Sequence, residues 1–342
     1  LCIPNYNYER YLERTVRSVL AQPGDIEVAI ADNASTDRSV EVVEAIGDAR
    51  VRVKVNACNV GFANNLDRAA RMASGEWMNL LSSDDLVRPG AFEVLDRVRN
   101  RLGDRGVVMT STMDVIDSGD NVTGKVGPDP ELWRASDRDL ELSAAAGSDV
   151  YRVDATKLLR RSLETMKNPL NFAATWYRRT DYERVEGYGG GRLINPDKWF
   201  HWRLLGIVDE AVFIDAPLYA YRWHAQNQTA QEKSQGALKY LVDEYAATLE
   251  IDAALLQRAG LTRAHVEEAF IERDIARHGL ATLACGDRDK ARRILDFGRA
   301  VYPRTTRKNP KATGLALLLA ARSLGAEAAR VAYIRMTGRT SS

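Results

Sequence analysis

The first hundred residues of the chain alternate between two hydrophobic periods. "LCIP", "IEVAIAD", "VRVKVN" and "WMNLL" are short runs rich in apolar and β-branched residues, the pattern of strands covered on both faces. Between them the spacing turns helical. Leu12, Val16, Val19 and Leu20 share one face, and Val40, Val43 and Ala45 to Ile46 follow "ASTD", a helix start. Strand, helix, strand, helix predicts parallel strands joined by right-handed crossovers.

Farther on the pattern is mixed. Strands are predicted at "VVMTST", "FAATWYR" and "AVFIDAPLYAYRW", and helices near Asp137 to Ala146, Asp154 to Leu163 and Asp197 to Leu205. After Asn227 the signal is almost wholly helical, and "HGLATLACGDRDKARRILDFGRAVYP" reads as a helical hairpin of the tetratricopeptide kind. One such pair is too few for a solenoid and reads as a docking element. The expected division is an α/β domain over 1–225 and a helical region over 226–342.

Ligands of parallel α/β sheets bind beyond the carboxyl ends of the strands. Those ends carry Pro4-Asn5-Tyr6-Asn7, Asp32-Asn33, Asn56 and Asp84-Asp85, and all are expected to line one crevice. Adjacent carboxylates at the end of a buried run repel each other and lose hydration, so a positive partner is expected beside them. A bound cation is one candidate. A lone strand-end aspartate such as Asp32 is equally the ordinary cap of a following helix.

Composition narrows the picture only slightly. The chain has 342 residues, 45% of them hydrophobic, which is enough for two packed units. Cys2, Cys58 and Cys285 lack the spacing of a zinc site or a disulfide framework. No apolar run is long enough for a membrane span, and no signal-peptide pattern opens the sequence. The expected location is cytoplasmic. The formal net charge of +1 is unevenly spread: from Ala300 onward eight Lys and Arg face one acid, Glu327, so this tail is +7 and the remainder −6. Such a tail points to an anionic surface, with peripheral contact at the inner face of the plasma membrane through 300–342 the expected form. Only Tyr302 and Tyr333 offer rings for base stacking there, and no nucleic-acid partner is expected.

"CIPNYNYERYLERTVRSVLAQ", "IEVAIADNASTD", "NVGFANNLDRAARMASGEWMNLLSSDD" and "YGGGRLINPDKWFHWRLL", in this order, resemble the inverting family 2 glycosyltransferases. The resemblance covers roughly residues 1–225 and implies a GT-A fold: a Rossmann-like, mostly parallel sheet flanked by helices, here followed by a helical C-terminal region. It implies transfer of a sugar, of the hexosyl type, from a UDP- or dTDP-linked donor to the hydroxyl of a glycan or lipid-linked acceptor in cell-envelope or polysaccharide synthesis. It further implies that Pro4 and Tyr6 bracket the base, that Asp32 accepts the pyrimidine imide, and that Asn59, Gly61 and Asn65 border the nucleotide. Asp84 would meet the ribose or a metal-bound water, and Asp85 with His224 would hold Mg²⁺ or Mn²⁺. Asp197 would be the general base. Ser82 stands where the family commonly has an acid, and Pro196 where it often has Glu. A sugar-nucleotide pyrophosphorylase would need a Gly- and Lys/Arg-rich loop that "IPNYNYERYLE" does not supply; a catalytically silent module for nucleotide-sugar binding or assembly would not need Asp84, Asp85 and Asp197 together.

Overall fold

In a computed structural model, residues 1–189, 193–224, 227, 237–321, 330–331 and 333–334 are described. The chain forms two compact units, Leu1–Ser162 with Asn168–Ala225, and Leu163–Lys167 with Gln226–Ser342.

The first unit begins with β1 (Cys2–Asn5), α1 (Glu9–Leu20), β2 (Val28–Asp32), α2 (Ser39–Glu44), β3 (Val51–Val55) and α3 (Phe62–Ala70). These strands form a parallel sheet in the order β1-β2-β3. The periodicity of the first helix is realised directly, since Leu12, Val16 and Val19 are buried against Ile3, Val28 and Ile30. β3 departs from the expectation of two covered faces. It is the edge strand, with no further strand paired to it among the described residues, and none of its residues is buried: Val51 and Val53 are half-buried, and Arg52, Lys54 and Val55 are exposed.

The second sheet is mixed. It comprises β4 (Trp77–Asn79), β5 (Leu86–Val87), β6 (Val107–Ile116), β7 (Val122–Val126), β8 (Val150–Asp154), β9 (Trp176–Arg178) and β10 (Glu210–Arg222). β10 runs parallel to β6 over its whole length and antiparallel to β8 and β5, whereas β9 is antiparallel to β4 and β6. Only Trp77–Asn79 of "WMNLL" is a strand. Leu80 adds a parallel bridge to Cys2, and the Leu81 amide donates to the Cys2 carbonyl, which joins the two sheets edge to edge. The short β5, β7 and β8 carry no strong hydrophobic period of their own; β7 is mostly exposed on the outside of β6.

Helices α4 (Ala91–Leu102), α5 (Leu140–Ala146), α6 (Ala155–Thr165, of which Leu163 onward is counted with the second unit), α7 (Arg179–Arg184) and α8 (Asp197–Leu205) complete the unit. The last of these is buried on nearly every side, including Trp199, Phe200, His201 and Trp202, so its axis and its first residue are firmly placed.

The second unit is helical throughout its described residues. Arg263–Phe270 and His278–Ala284 are continuous across a π-helical turn, Ile271–Arg277. The expected hairpin is present as His278–Ala284 and Arg288–Val301, turned at Gly286 (φ +88°) and capped by the Asp287 side chain on the Lys290 amide. Gly298 lets the second helix approach closely, since a Cβ there would strike Ile275. Of the basic tail, Arg322, Arg335 and Arg339 lie outside the described residues. No described helix is long and apolar enough to cross a membrane.

Candidate active site

The carboxyl ends of β1, β2 and β3 are tied together by side-chain amides. Asn5 Nδ2 donates to Asp32 Oδ2 at 2.8 Å, and the Ser35 hydroxyl and amide fill further positions on the same carboxylate at 2.6 and 2.8 Å. Asp32 is therefore not the cap of α2, which starts seven residues later at Ser39; it is a buried acceptor at 1% exposure. A carboxylate offers about four acceptor positions, so these bonds leave capacity for a ligand donor. Asn59 Oδ1 accepts from Asn33 and from the Gly61 amide, both at 2.9 Å. Gly61 holds φ at +83°, a value that favours glycine, and opens α3.

Asn65 is more internal than the family resemblance implies. It is buried, its amide donates to the carbonyls of Ala31 and Asn5, and its Oδ1 accepts from Asn56 at 2.8 Å. It thus braces three strand ends at once. Arg68, on the next turn of α3, donates to Asn56 Oδ1 at 2.8 Å. Pro4 is buried in β1 and its carbonyl accepts the Ser83 hydroxyl at 2.9 Å, linking the β1 end to the acidic pair. Tyr6, just beyond, is 42% exposed and free to offer a ring face.

Asp84 and Asp85 point to different partners. Asp84 Oδ2 lies 2.9 Å from His224 Nε2. Asp85 is fully buried, and its Oδ1 accepts the backbone N–H of Arg222 at 2.8 Å. Its Oδ2 has no hydrogen-bond partner among the described residues. Burial, and then the Asp84 charge, push the Asp85 carboxyl well above the usual carboxylate range. The positive charge expected near this pair is supplied in part by the protein. The Arg222 side chain is itself buried, with Nε on the Asp84 carbonyl at 2.8 Å, Nη1 on the Asp117 carbonyl at 2.9 Å and on Asp120 at 2.5 Å, and its plane over the Tyr11 ring. His224 packs on Tyr11 with ring centroids 5.1 Å apart and on Tyr8 at 6.1 Å. Burial, then Asp84 and Asp85, raise the Tyr8 hydroxyl above its ordinary range, so it stays protonated.

Sequence reasoning missed Arg222. The signal was its place: Arg222 is a charged residue closing a largely apolar strand, two positions before His224.

The described residues contain no group of three or more His, Cys, Asp or Glu arranged to hold a metal by themselves. Magnesium and manganese do not require such a cage, because one or two carboxylates complete their shell with substrate phosphates and water. On that basis the donor set fits: a buried carboxylate oxygen without a partner, beside a second carboxylate and an imidazole.

Asp197 belongs to a separate set of contacts. It is the first residue of α8, after Pro196 at the cap position, where the helix dipole favours a negative charge. Its Oδ2 accepts from Asn168 Nδ2 at 2.7 Å. The segment leading to it is anchored on α3: Asp67 Oδ1 accepts the Tyr182 hydroxyl at 2.6 Å and the Tyr188 amide at 2.7 Å. Gly187 and Gly189 both have positive φ, and a Cβ on the former would strike Tyr182 and Asp67 and on the latter the Trp199 ring. Arg203 closes the segment from the far end of α8, stacked 3.6 Å from the Trp199 ring centroid with its guanidinium on the Val185 and Gly187 carbonyls.

An α/β architecture, with acids at its strand ends and another acid opening a buried helix, is of the class that binds ligands beyond the carboxyl ends of its strands. Comparison with known proteins makes the class specific. The model for glycosyl transferase family 2 matches residues 1–165. The glycosyltransferase GlyG of Streptococcus pneumoniae is 34% identical over 225 residues, covering 64% of this chain and 69% of that protein. The chain therefore belongs to glycosyltransferase family 2. An uncharacterized glycosyltransferase of Nostoc is 35% identical over 121 residues, 34% of this chain and 37% of the relative. A Pasteurella multocida chondroitin synthase is 36% identical over 94 residues, which is 10% of the synthase. The chain thus spans well under half the length of these last two. Among solved structures, Staphylococcus aureus TarS residues 1–349, crystallised with UDP-GlcNAc, superposes with a TM-score of 0.62 at 17% identity, over 98% of this chain and 91% of that one. The fold is GT-A.

Proposed function

We propose that this protein transfers a sugar from a UDP- or dTDP-linked donor to an acceptor hydroxyl with inversion, in the synthesis of a bacterial cell-envelope glycan or polysaccharide. The observation that carries the reading is Asp85 Oδ2, a buried carboxylate oxygen without a hydrogen-bond partner among the described residues, beside Asp84, which itself meets His224. In this reading Asp32 accepts the pyrimidine N–H, Tyr6 stacks on the base, Pro4 shapes the floor, and Asn59 and Gly61 form the turn beside the ribose. Asp85 and His224 would hold Mg²⁺ or Mn²⁺ with the diphosphate, and Asp84 would meet the ribose or a metal-bound water. A divalent cation bound there supplies Lewis-acid stabilisation to the departing diphosphate. Asp197 takes the proton from the acceptor hydroxyl as it attacks opposite the leaving group. The donor base agrees with the UDP-GlcNAc held by TarS, a protein of the same fold.

Calorimetry of UDP and dTDP with and without Mn²⁺ checks the cation. Affinity is expected to fall at least tenfold in EDTA for the wild type, and Asp85→Ala is expected to bind equally weakly in both conditions. Equal wild-type affinity with and without the ion would remove Asp85 from the metal site.

We further propose that the basic tail touches anionic lipid. Arg304, Arg307 and Lys308 cluster in one short helix, Pro303–Lys308, and the following helix, Pro310–Ala320, leaves Leu317 68% exposed. Each basic residue near an anionic leaflet contributes about 1 kcal/mol. Replacing these three by Gln is expected to weaken co-sedimentation with anionic liposomes on the order of a hundredfold at low salt. Partition that is indifferent to salt or to the three substitutions would leave the tail without a membrane role.

A further inference from the structure

Asp197 is held by a side chain that no motif singles out. Asn168 lies outside the recognisable strand-end segments, in "KNPL" after α6, and its amide faces two groups at once. Nδ2 is 2.7 Å from Asp197 Oδ2, and Oδ1 is 2.8 Å from His201 Nδ1. Asp197 and His201 are four residues apart on α8, so they occupy one face of the helix a single turn apart. The amide bridges that turn.

The chemistry of the three groups fixes the direction of both bonds. An ionised carboxylate only accepts, so the amide must present its N–H₂ to Asp197 and its oxygen to His201. The imidazole must then carry its proton on Nδ1. His201 is fully buried, and burial pulls its pKa down to about 3, so the ring is neutral and has one N–H to give. With that N–H on Asn168, Nε2 is bare, and it has no partner among the described residues. A reversed amide would set its oxygen against the carboxylate and its N–H₂ against a ring N–H. The Leu170 amide, 3.4 Å from Asn168 Oδ1, favours the same orientation. Tyr188 is fully buried, and burial, then the neighbouring Tyr177, keeps its hydroxyl protonated.

We propose that Asn168 is the positioning residue of the reaction: bridged to His201, it holds Asp197 Oδ2 and keeps the carboxylate aimed at the acceptor hydroxyl. This rests on the reading of Asp197 as the base. Asn168 itself touches neither donor nor acceptor in the scheme. Its loss therefore affects turnover, while donor binding at the strand ends stays as it was.

The test has two arms. In the first, the full-length chain is labelled with ¹⁵N-histidine; four histidines give few enough signals to assign by substitution. His201 is expected as a neutral ring protonated on Nδ1 from pH 5 to 8, and to lose that fixed tautomer in Asn168→Ala. A wild-type ring protonated on Nε2 would overturn the proposal, even if Asn168→Ala did not fold. In the second arm, hydrolysis of UDP- and dTDP-sugars is followed by released diphosphate. Asn168→Ala is expected to lose about tenfold or more in kcat, the scale of one charge-assisted hydrogen bond, with KM for the donor unchanged. Asp197→Asn is run beside it. If Asp197→Asn is inactive while Asn168→Ala keeps wild-type kcat, the positioning role fails and the base survives. Wild-type turnover by Asp197→Asn defeats the base, and the positioning role falls with it.

Discussion

Replacement of Asp197 by Asn is expected to lower turnover by about 10² to 10⁴, the usual contribution of a general base, while calorimetric affinity for UDP or dTDP stays at the wild-type value. The amide has the shape of the carboxylate but cannot take a proton. The location of Asp197 supports a clean separation of the two effects. It opens α8, whose buried Trp199, Phe200 and Trp202 fix the helix independently of the charge at its first residue, and none of its contacts described above involves the strand-end network. A variant with unchanged kcat, measured on whichever nucleotide sugar the wild type turns over, would eliminate Asp197. A loss of nucleotide affinity equal to the loss of rate would show instead that Asp197 supports the donor pocket.

The second large effect concerns stability. Arg222→Ala is expected to destabilise the first unit by about 1–3 kcal/mol, read as a shift of the denaturant midpoint, because it strips a buried donor from two backbone carbonyls, while Asp120 keeps its ion pair with Arg14. The guanidinium spans the Asp84 carbonyl, the Asp117 carbonyl and Asp120, and its removal leaves all three without that donor. Arg222→Lys should recover little, since a single ammonium cannot reproduce the planar fork. Nucleotide affinity of the folded variant should change much less than stability, because the bond to Asp85 Oδ1 comes from the backbone N–H of residue 222, which alanine retains. A loss below about 1 kcal/mol would mean that water or a neighbouring cation takes over the site.

The sequence shows most clearly those features that depend on short-range pattern. β1, α1 and β2 are visible because their apolar residues repeat with the period of the element that buries them. Asp32, Asp84 and Asp85 are visible because the ends of such strands face the crevice. The rest depends on partners far apart in the chain. β5 is two residues long and exists through its pairing with β10, more than 130 positions away. Arg222 reads as an ordinary strand-end cation until Asp117 and Asp120 fold onto it. Asn168 and His201 become a pair only when α8 packs beside the segment after α6. Asn65 was legible as part of a motif, but its internal bracing of three strand ends was not, because hydrogen-bond partners leave no periodic trace.

α3 carries a consequence for how substitutions in this protein are to be read. Nine residues of helix span about 13 Å, and within a single turn they present Asn65 and Arg68 to the strand-end amides and Asp67 to the Tyr182 hydroxyl and Tyr188 amide. The donor side and the segment running to Asp197 are thus gauged from the same short rod. A one-residue insertion in α3 ahead of Asn65 would rotate both sets of anchors by about 100° together, so neither set can be re-registered from that end without the other. Substitutions are accordingly best tolerated in the loops that hang from this rod, and least in the rod itself.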